Sequence, residues 1–143
     1  GSVRANVPLP MVALHTVFLR EHNRQCALLQ AENPSWSDEQ LYARARLRVV
    51  SLLQHVALYD FLPKLVGPVE PYGGYDPSIH PGVDNFFATV AFRYGHSALS
   101  ASIELRDENG LVGQLPLRTS LFTPPQDELV DAVLTGTMTA RTQ

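Results

Sequence analysis

The sequence holds a single cysteine, Cys26, so no internal disulfide can form and a small sulfur-stapled scaffold is excluded. One thiol does not identify the redox compartment. There is no excess of positive charge. With 11 Lys and Arg against 14 Asp and Glu, the formal net charge of −3 argues against a nucleic-acid footprint. No apolar run approaches the roughly 20 residues of a membrane span, and the opening Gly1-Ser2-Val3-Arg4 does not begin a signal peptide. Internal repeats and low-complexity tracts are also lacking. What remains is a chain of 143 residues, 45% hydrophobic and 17% charged, with apolar material for one packed core. Collagen, coiled coil and disorder do not fit that composition.

Prolines at 8, 10, 34, 63, 68, 71, 77, 81, 116, 124 and 125 leave four windows for regular structure. In the first, 11–33, Met11, Leu14, Val17, Phe18, Leu19, Cys26, Leu28 and Leu29 recur at helical steps, and Asn33-Pro34 ends the helix. The second opens on Ser37 with Gln40 three residues on, a capping box, and Asp38 and Glu39 face the positive helix end. It runs through Leu41, Ala45, Val49, Leu52, Leu53, Val56 and Leu58 to Phe61, with a stop expected before Pro63. The stretch 63–82, PKLVGPVEPYGGYDPSIHPG, holds five prolines and four glycines and reads as an ordered surface loop. A third helix is expected over 84–101, with Phe86, Phe87, Val90, Ala91, Tyr94 and Leu99 on its apolar side. Gly95 inside it costs roughly 1 kcal/mol relative to alanine, so something should approach closely there. Ile103 to Leu117 alternates around Asn109-Gly110, suited to a type I′ hairpin turn. A short fourth helix is expected from Asp127 to Met138.

Chemistry must come from the histidines, the arginines or the thiol. His15 and His22, seven positions apart on one helix face, are separated by about 10.5 Å along the axis, too far to share one metal ion. Both read as hydrogen-bonded structural histidines, as does His55. His80, in Ser78-Ile79-His80-Pro81, reads as a surface hydrogen-bonding group. A hydrolase elbow fails at Gly95-His96-Ser97-Ala98-Leu99, which has no glycine two residues after the serine. Asp107-Glu108-Asn109-Gly110 is a poor calcium loop, its glycine too early and its closing glutamate missing. Cys26, on the apolar side of the first helix, reads as a buried, inert thiol. Arg44 and Arg48 share a helix face while Arg46 points away, the pattern of a solvated surface. His96 differs. It follows the interior glycine directly, with Arg93 three residues earlier on the same face. A satisfied core histidine and a ligand to a flat, anionic cofactor both fit that arrangement.

Phe92-Arg93-Tyr94-Gly95-His96-Ser97, preceded by His80-Pro81-Gly82-Val83 and Phe86, resembles the proximal-histidine helix of the animal-type haem peroxidase family, within the peroxidase and cyclooxygenase superfamily. Leu14-His15-Thr16-Val17-Phe18-Leu19-Arg20-Glu21-His22-Asn23-Arg24 is similar to that family's HT…REHNR helix. So are Asn33-Pro34-Ser35-Trp36, Leu41-Tyr42-Ala43-Arg44-Ala45-Arg46 and Tyr59-Asp60-Phe61-Leu62-Pro63 to the segment after it. Arg4 stands eleven residues before His15, where the family places its distal arginine, and the tail Val130-Asp131-Ala132-Val133-Leu134-Thr135-Gly136 also resembles the family.

The resemblance implies a mainly α-helical haem peroxidase scaffold with a short β-hairpin, residues 1–143 being the central part of one domain that is incomplete in this chain. It implies haem b as cofactor, with His96 the axial iron ligand, Arg93 paired with a propionate, and Arg4 on the opposite face stabilising negative charge on peroxide. The partner of His96's other ring nitrogen would be an asparagine well downstream, and the distal histidine and calcium loop would lie upstream, so calcium has no site in this stretch. Hydrogen peroxide, a halide or organic electron donor and the remainder of the domain are the implied partners, and the parent would be secreted or membrane-associated. Val7 stands where mammalian members carry the glutamate that bonds haem covalently, and Pro8 where one of them adds a methionine link, so neither bond can form. The HPG loop, the LYDFLP ending and the LPLRTSL…VDAVL tail look closer to dual-oxidase-type domains than to the leukocyte enzymes. A haem-free or weakly haem-binding homology domain, a haem fatty-acid oxygenase and a helical partner-binding module stay open beside the peroxidase.

Overall fold

Helix α1 spans Leu9–Glu32 in the computed structural model, which describes residues 8–122 and 127–139. Pro10 is tolerated because the first-turn amides have no intrahelical acceptor, and the amides of Met11 and Val12 close on the Pro8 carbonyl at 2.9 and 3.0 Å. At the other end the Asn33 amide and side chain both reach the Leu29 carbonyl, at 2.8 and 3.2 Å, before Pro34 forbids another turn. The residues α1 buries are Leu9, Ala13 and Leu29, while Met11, Leu14, Val17, Leu19 and Leu28 of the expected apolar face are exposed. Cys26 is half-buried, not fully enclosed as expected.

The chain divides into two compact units, one of residues 17–75 and one of the N-terminal residues through Thr16 with 76 onward. In the 17–75 unit, α2 (Asp38–His55) starts at the capping box. Ser37 Oγ accepts from the Gln40 amide at 3.4 Å, and the Ser37 amide donates to Gln40 Oε1 at 2.9 Å. Leu41, Ala45 and Val49 form its buried stripe at four-residue steps. Leu41 and Ala45 join Leu29 in a small core bordered by Cys26 and Trp36. Arg48 donates to Gln25 Oε1 at 3.0 Å and lies 3.5 Å from Glu32 Oε2, while Arg44 and Arg46 are exposed.

The expected stop before Pro63 does not occur. A π-helical segment, Val56–Phe61, continues α2 into α3 (Leu62–Val66). In α geometry the Pro63 ring would strike the Tyr59 carbonyl four residues back. The wider π turn, in which the Leu62 amide reaches Ala57 five residues back, lets the helix pass the proline. The run Asp38–Val66 is 29 residues long with a window of mean hydropathy 1.3, so by length and composition it could cross a membrane, contrary to the expectation from the sequence. The interior helix of a larger globular domain passes the same test, so this is weak evidence for a span.

The later part of the other unit, from Asp76 on, opens with an Asx-type turn in which Asp76 Oδ1 accepts from the Ser78 amide and hydroxyl at 2.8 and 2.7 Å. Residues 67–84 form no regular element, so the expected loop is retained without its first four residues. The single helix expected over 84–101 is broken in two. Asp84 caps α4 (Asn85–Thr89) by accepting from the Phe87 amide at 3.0 Å, Val90 leaves helical geometry at φ −122° and ψ −68°, and a 3₁₀ segment runs Ala91–His96. Every residue from 84 to 100 is exposed, so no buried face holds a longer helix together.

Strands β1 (Ser102–Asp107) and β2 (Gly110–Pro116) form an antiparallel hairpin with an irregularity between Leu105 and Arg106. The turn differs from the expected type I′. Asp107 pairs with Gly110, so Glu108 and Asn109 are the connecting residues, and Asp107 Oδ1 accepts from the amides of Asn109 and Gly110 at 2.7 and 3.0 Å. Among the described residues none but glycine has positive φ, so Asn109 is not left-handed and Gly110, at φ 126°, supplies the required conformation. After the short α5 (Leu117–Ser120), α6 (Asp127–Thr139) lies across β1. Leu9, Ala13, Ile103, Val130 and Val133 form this unit's core. A Cβ at Gly136 would overlap the Glu104 carbonyl, so a hydrogen atom is what the helix crossing admits there.

Candidate functional site

The segment expected from the sequence to carry the chemistry is Asp84 to Ser97. The α4 cap, the break at Val90 and the 3₁₀ turn set the direction of its last residues. The Arg93 amide closes on the Val90 carbonyl at 3.0 Å, and the Ser97 amide and hydroxyl both donate to the Tyr94 carbonyl at 2.9 Å. His96 ends the 3₁₀ segment with its Nδ1 3.0 Å from the Arg93 carbonyl oxygen. A carbonyl only accepts, so the neutral imidazole in this contact carries its proton on Nδ1 and presents the lone pair on Nε2. That is the donor form a metal ion requires.

Arg93 and His96 are brought together by the turn, and Arg93 makes no ion pair among the described residues. The rings of Phe87 and Phe92 meet at 6.1 Å and 52° on the same segment, while Phe86 and Phe92 remain 66% and 68% exposed. Beyond its chain neighbours, no described residue places an atom within 4 Å of where a Cβ on Gly95 would stand, so none of them makes the close approach expected there. Arg4 lies outside the described residues.

The other histidines do different things. His15 is exposed, and the ring of His55 lies 5.0 Å from that of Tyr59. His80 Nδ1 accepts from the Gly82 amide at 3.0 Å, closing the HPG turn as a surface hydrogen bond. His22 sits 3.7 Å by Nδ1 from Cys26 Sγ, with Tyr42 tilted against its ring at 5.2 Å. The Nδ1 contact agrees with the hydrogen-bonded structural histidine expected there, while Nε2 is buried with no hydrogen-bond partner among the described residues. The four-residue spacing of His22 and Cys26 is the signal that could have found this pair, which lines a cavity of about 430 Å³ with Asn23, Asp38, Leu41 and Tyr42. Beside it, Glu21 accepts from Arg24 at 2.7 and 2.9 Å and from Gln25 at 2.7 Å. Those bonds hold its carboxyl at about 2. The REHNR segment is therefore braced along its own helix. Among the described residues no three His, Cys, Asp or Glu side chains converge as a metal site.

Residues 1–143 match the family described as Animal haem peroxidase along their whole length. The chain belongs to the animal haem peroxidase family. It is 40% identical to thyroid peroxidase from Sus scrofa, over 95% of this chain and 16% of that protein, and 39% identical to a peroxidasin homolog from Mus musculus, over 87% of this chain and 9% of that protein. Peroxidase A from Dictyostelium discoideum, a solved structure, superposes with a TM-score of 0.82 at 29% identity, covering 95% of this chain and 26% of that one. The mainly helical architecture with its two-stranded sheet is thus an animal haem peroxidase fold, and this chain spans a minor part of each relative's length. The haem implied by the family suits the donor set, since the Nδ1–H form of His96 and an Arg93 that makes no ion pair among the described residues offer one neutral nitrogen ligand and one cation for a carboxylate.

Proposed function

We propose that this chain is the central part of a haem-dependent peroxidase domain that reduces hydrogen peroxide and oxidises a halide or organic donor, and that it is inactive by itself. The observation that carries the reading is the His96 imidazole, exposed at the end of a 3₁₀ turn with Nδ1 engaged and Nε2 free to ligate. In this reading His96 Nε2 would hold haem iron, the Arg93 guanidinium would meet a propionate as a charge-assisted pair, and Arg4, by the family resemblance, would act on peroxide. When bound, haem supplies the redox chemistry by which peroxide is reduced. Arg4 would stabilise the negative charge that grows on peroxide, an electrostatic contribution that needs no proton transfer by the arginine. Proton transfer from peroxide falls to a base outside this chain, because no described histidine is assigned to that face. The exposed aromatic and aliphatic side chains of 83–99 support the same reading, since they suit burial against a flat apolar cofactor and the rest of the domain.

Haem titration of the complete polypeptide tests this. A Soret band is expected for the wild type, with loss of the ligand-dependent spectrum in His96→Ala and weaker haem retention in Arg93→Ala. An unchanged spectrum in His96→Ala would remove the axial-ligand assignment, and no Soret band in the wild type would favour the haem-free homology domain.

A further inference from the structure

The tip of the β1–β2 hairpin carries an asparagine-glycine pair, away from the segment assigned to haem. Of the chain's asparagines, Asn109 alone is followed by glycine, and residues 107–109 are exposed to water. Glycine puts no side chain beside its own amide nitrogen, so the asparagine before it is open to attack by the backbone. We infer that Asn109 is a site of spontaneous deamidation and that the Asp107 carboxylate restrains the reaction by holding the attacking nitrogen. In that reaction the Gly110 nitrogen bonds to Asn109 Cγ, the Cγ–Nδ2 bond breaks, and ammonia leaves with the proton given up by the Gly110 nitrogen. Water then opens the resulting succinimide at either carbonyl, leaving an aspartyl or isoaspartyl residue at position 109. No oxidant or cofactor enters.

The clamp is a single oxygen atom. Asp107 Oδ1 accepts from the Asn109 amide at 2.7 Å and from the Gly110 amide at 3.0 Å. Those two nitrogens flank the Asn109 Cα–C bond, so holding both on one oxygen keeps the Gly110 nitrogen turned towards that of Asn109. Ring closure needs a different rotation, one that brings the Gly110 nitrogen beside Asn109 Cβ. Pairing of Asp107 with Gly110 across the hairpin restrains the same bond from outside the turn. Electrostatics acts in the same direction. The nucleophile is the Gly110 nitrogen after loss of its proton, and a carboxylate bonded to that proton favours the protonated amide. Deamidation therefore proceeds from the open turn, at a rate set by how often the clamp releases. Either product adds a carboxylate beside Asp107 and Glu108, and the isoaspartyl form also adds a methylene to the backbone between two strands held in fixed register.

Peptide mapping by mass spectrometry after incubation in mildly alkaline buffer tests this, with a free peptide of residues 106–112 as the unclamped reference. Deamidation at Asn109 in the chain is expected to be slower than in the peptide by about 10-fold or more. Asp107→Ala should raise the rate in the chain towards that of the peptide. Asp107→Ser, which keeps a turn acceptor without the charge, should fall between the two. Glu108→Ala removes the neighbouring carboxylate and should leave the wild-type rate. Cross-strand NOEs between the partners Ile103 and Leu115 show whether each variant keeps the hairpin. Equal rates in the wild-type chain and the peptide would overturn the inference. So would Asp107 variants that deamidate no faster than wild type, or a Glu108→Ala chain as fast as Asp107→Ala. A rise confined to variants that lose the cross-strand contacts would overturn it too, assigning the protection to strand pairing and not to the carboxylate.

Discussion

Glu21 and Gly136 show how single residues report on this chain. The Arg24 and Gln25 bonds lower the Glu21 carboxyl from 4.5 to about 2, so its contribution to stability is present above pH 4.5 and is lost as pH falls through about 2. A carboxyl carbon-13 titration should place the Glu21 midpoint near 2, and Arg24→Ala should move it back towards 4.5. At Gly136 the steric margin is zero. Gly136→Ala forces α6 off the Glu104 carbonyl and should cost roughly 1–3 kcal/mol in denaturant unfolding. Gly95→Ala, with open space around it, should stay within about 0.5 kcal/mol of wild type in the same assay. The two glycines look alike in the sequence. Their difference lies in what the fold brings beside them.

At the scale of elements, the passage of a helix through Pro63 is the most informative feature. The π turn is a response to the proline ring, so Pro63→Ala should let the Leu62 amide bond to Leu58 in place of Ala57 and convert Val56–Phe61 to α-helix. Medium-range NOE patterns across 56–66 would show the change, and their persistence as i to i+5 contacts would mean that the proline is not the cause. The Ser37 capping box, the end of α1 at Asn33-Pro34, the hairpin and α6 were all legible because each is encoded by neighbouring residues. The 84–101 helix was misread because periodicity records a potential apolar face without recording whether anything covers it. The hairpin turn was misread for a smaller reason, the Asp107 carboxylate, which captures two amides and moves Gly110 out of the turn centre.

For the whole molecule, burial is concentrated in two small cores, and the segment that carries His96 belongs to neither. Hydrogen exchange of this chain should therefore protect amides of α2, β1, β2 and α6, and leave 84–100 near unprotected rates. In the complete polypeptide with haem bound, 84–100 should become protected. Unchanged fast exchange there would contradict burial of this segment by cofactor and domain. Family membership was readable from the sequence itself, because the HT…REHNR helix, the YDFLP string and the RYGHS segment are local strings in a set order. Which apolar side chains are buried and the close approach at Gly136 were decided only by tertiary structure. Each depends on where a backbone carbonyl or a neighbouring element stands in space, and no spacing of residue types along the chain encodes that position.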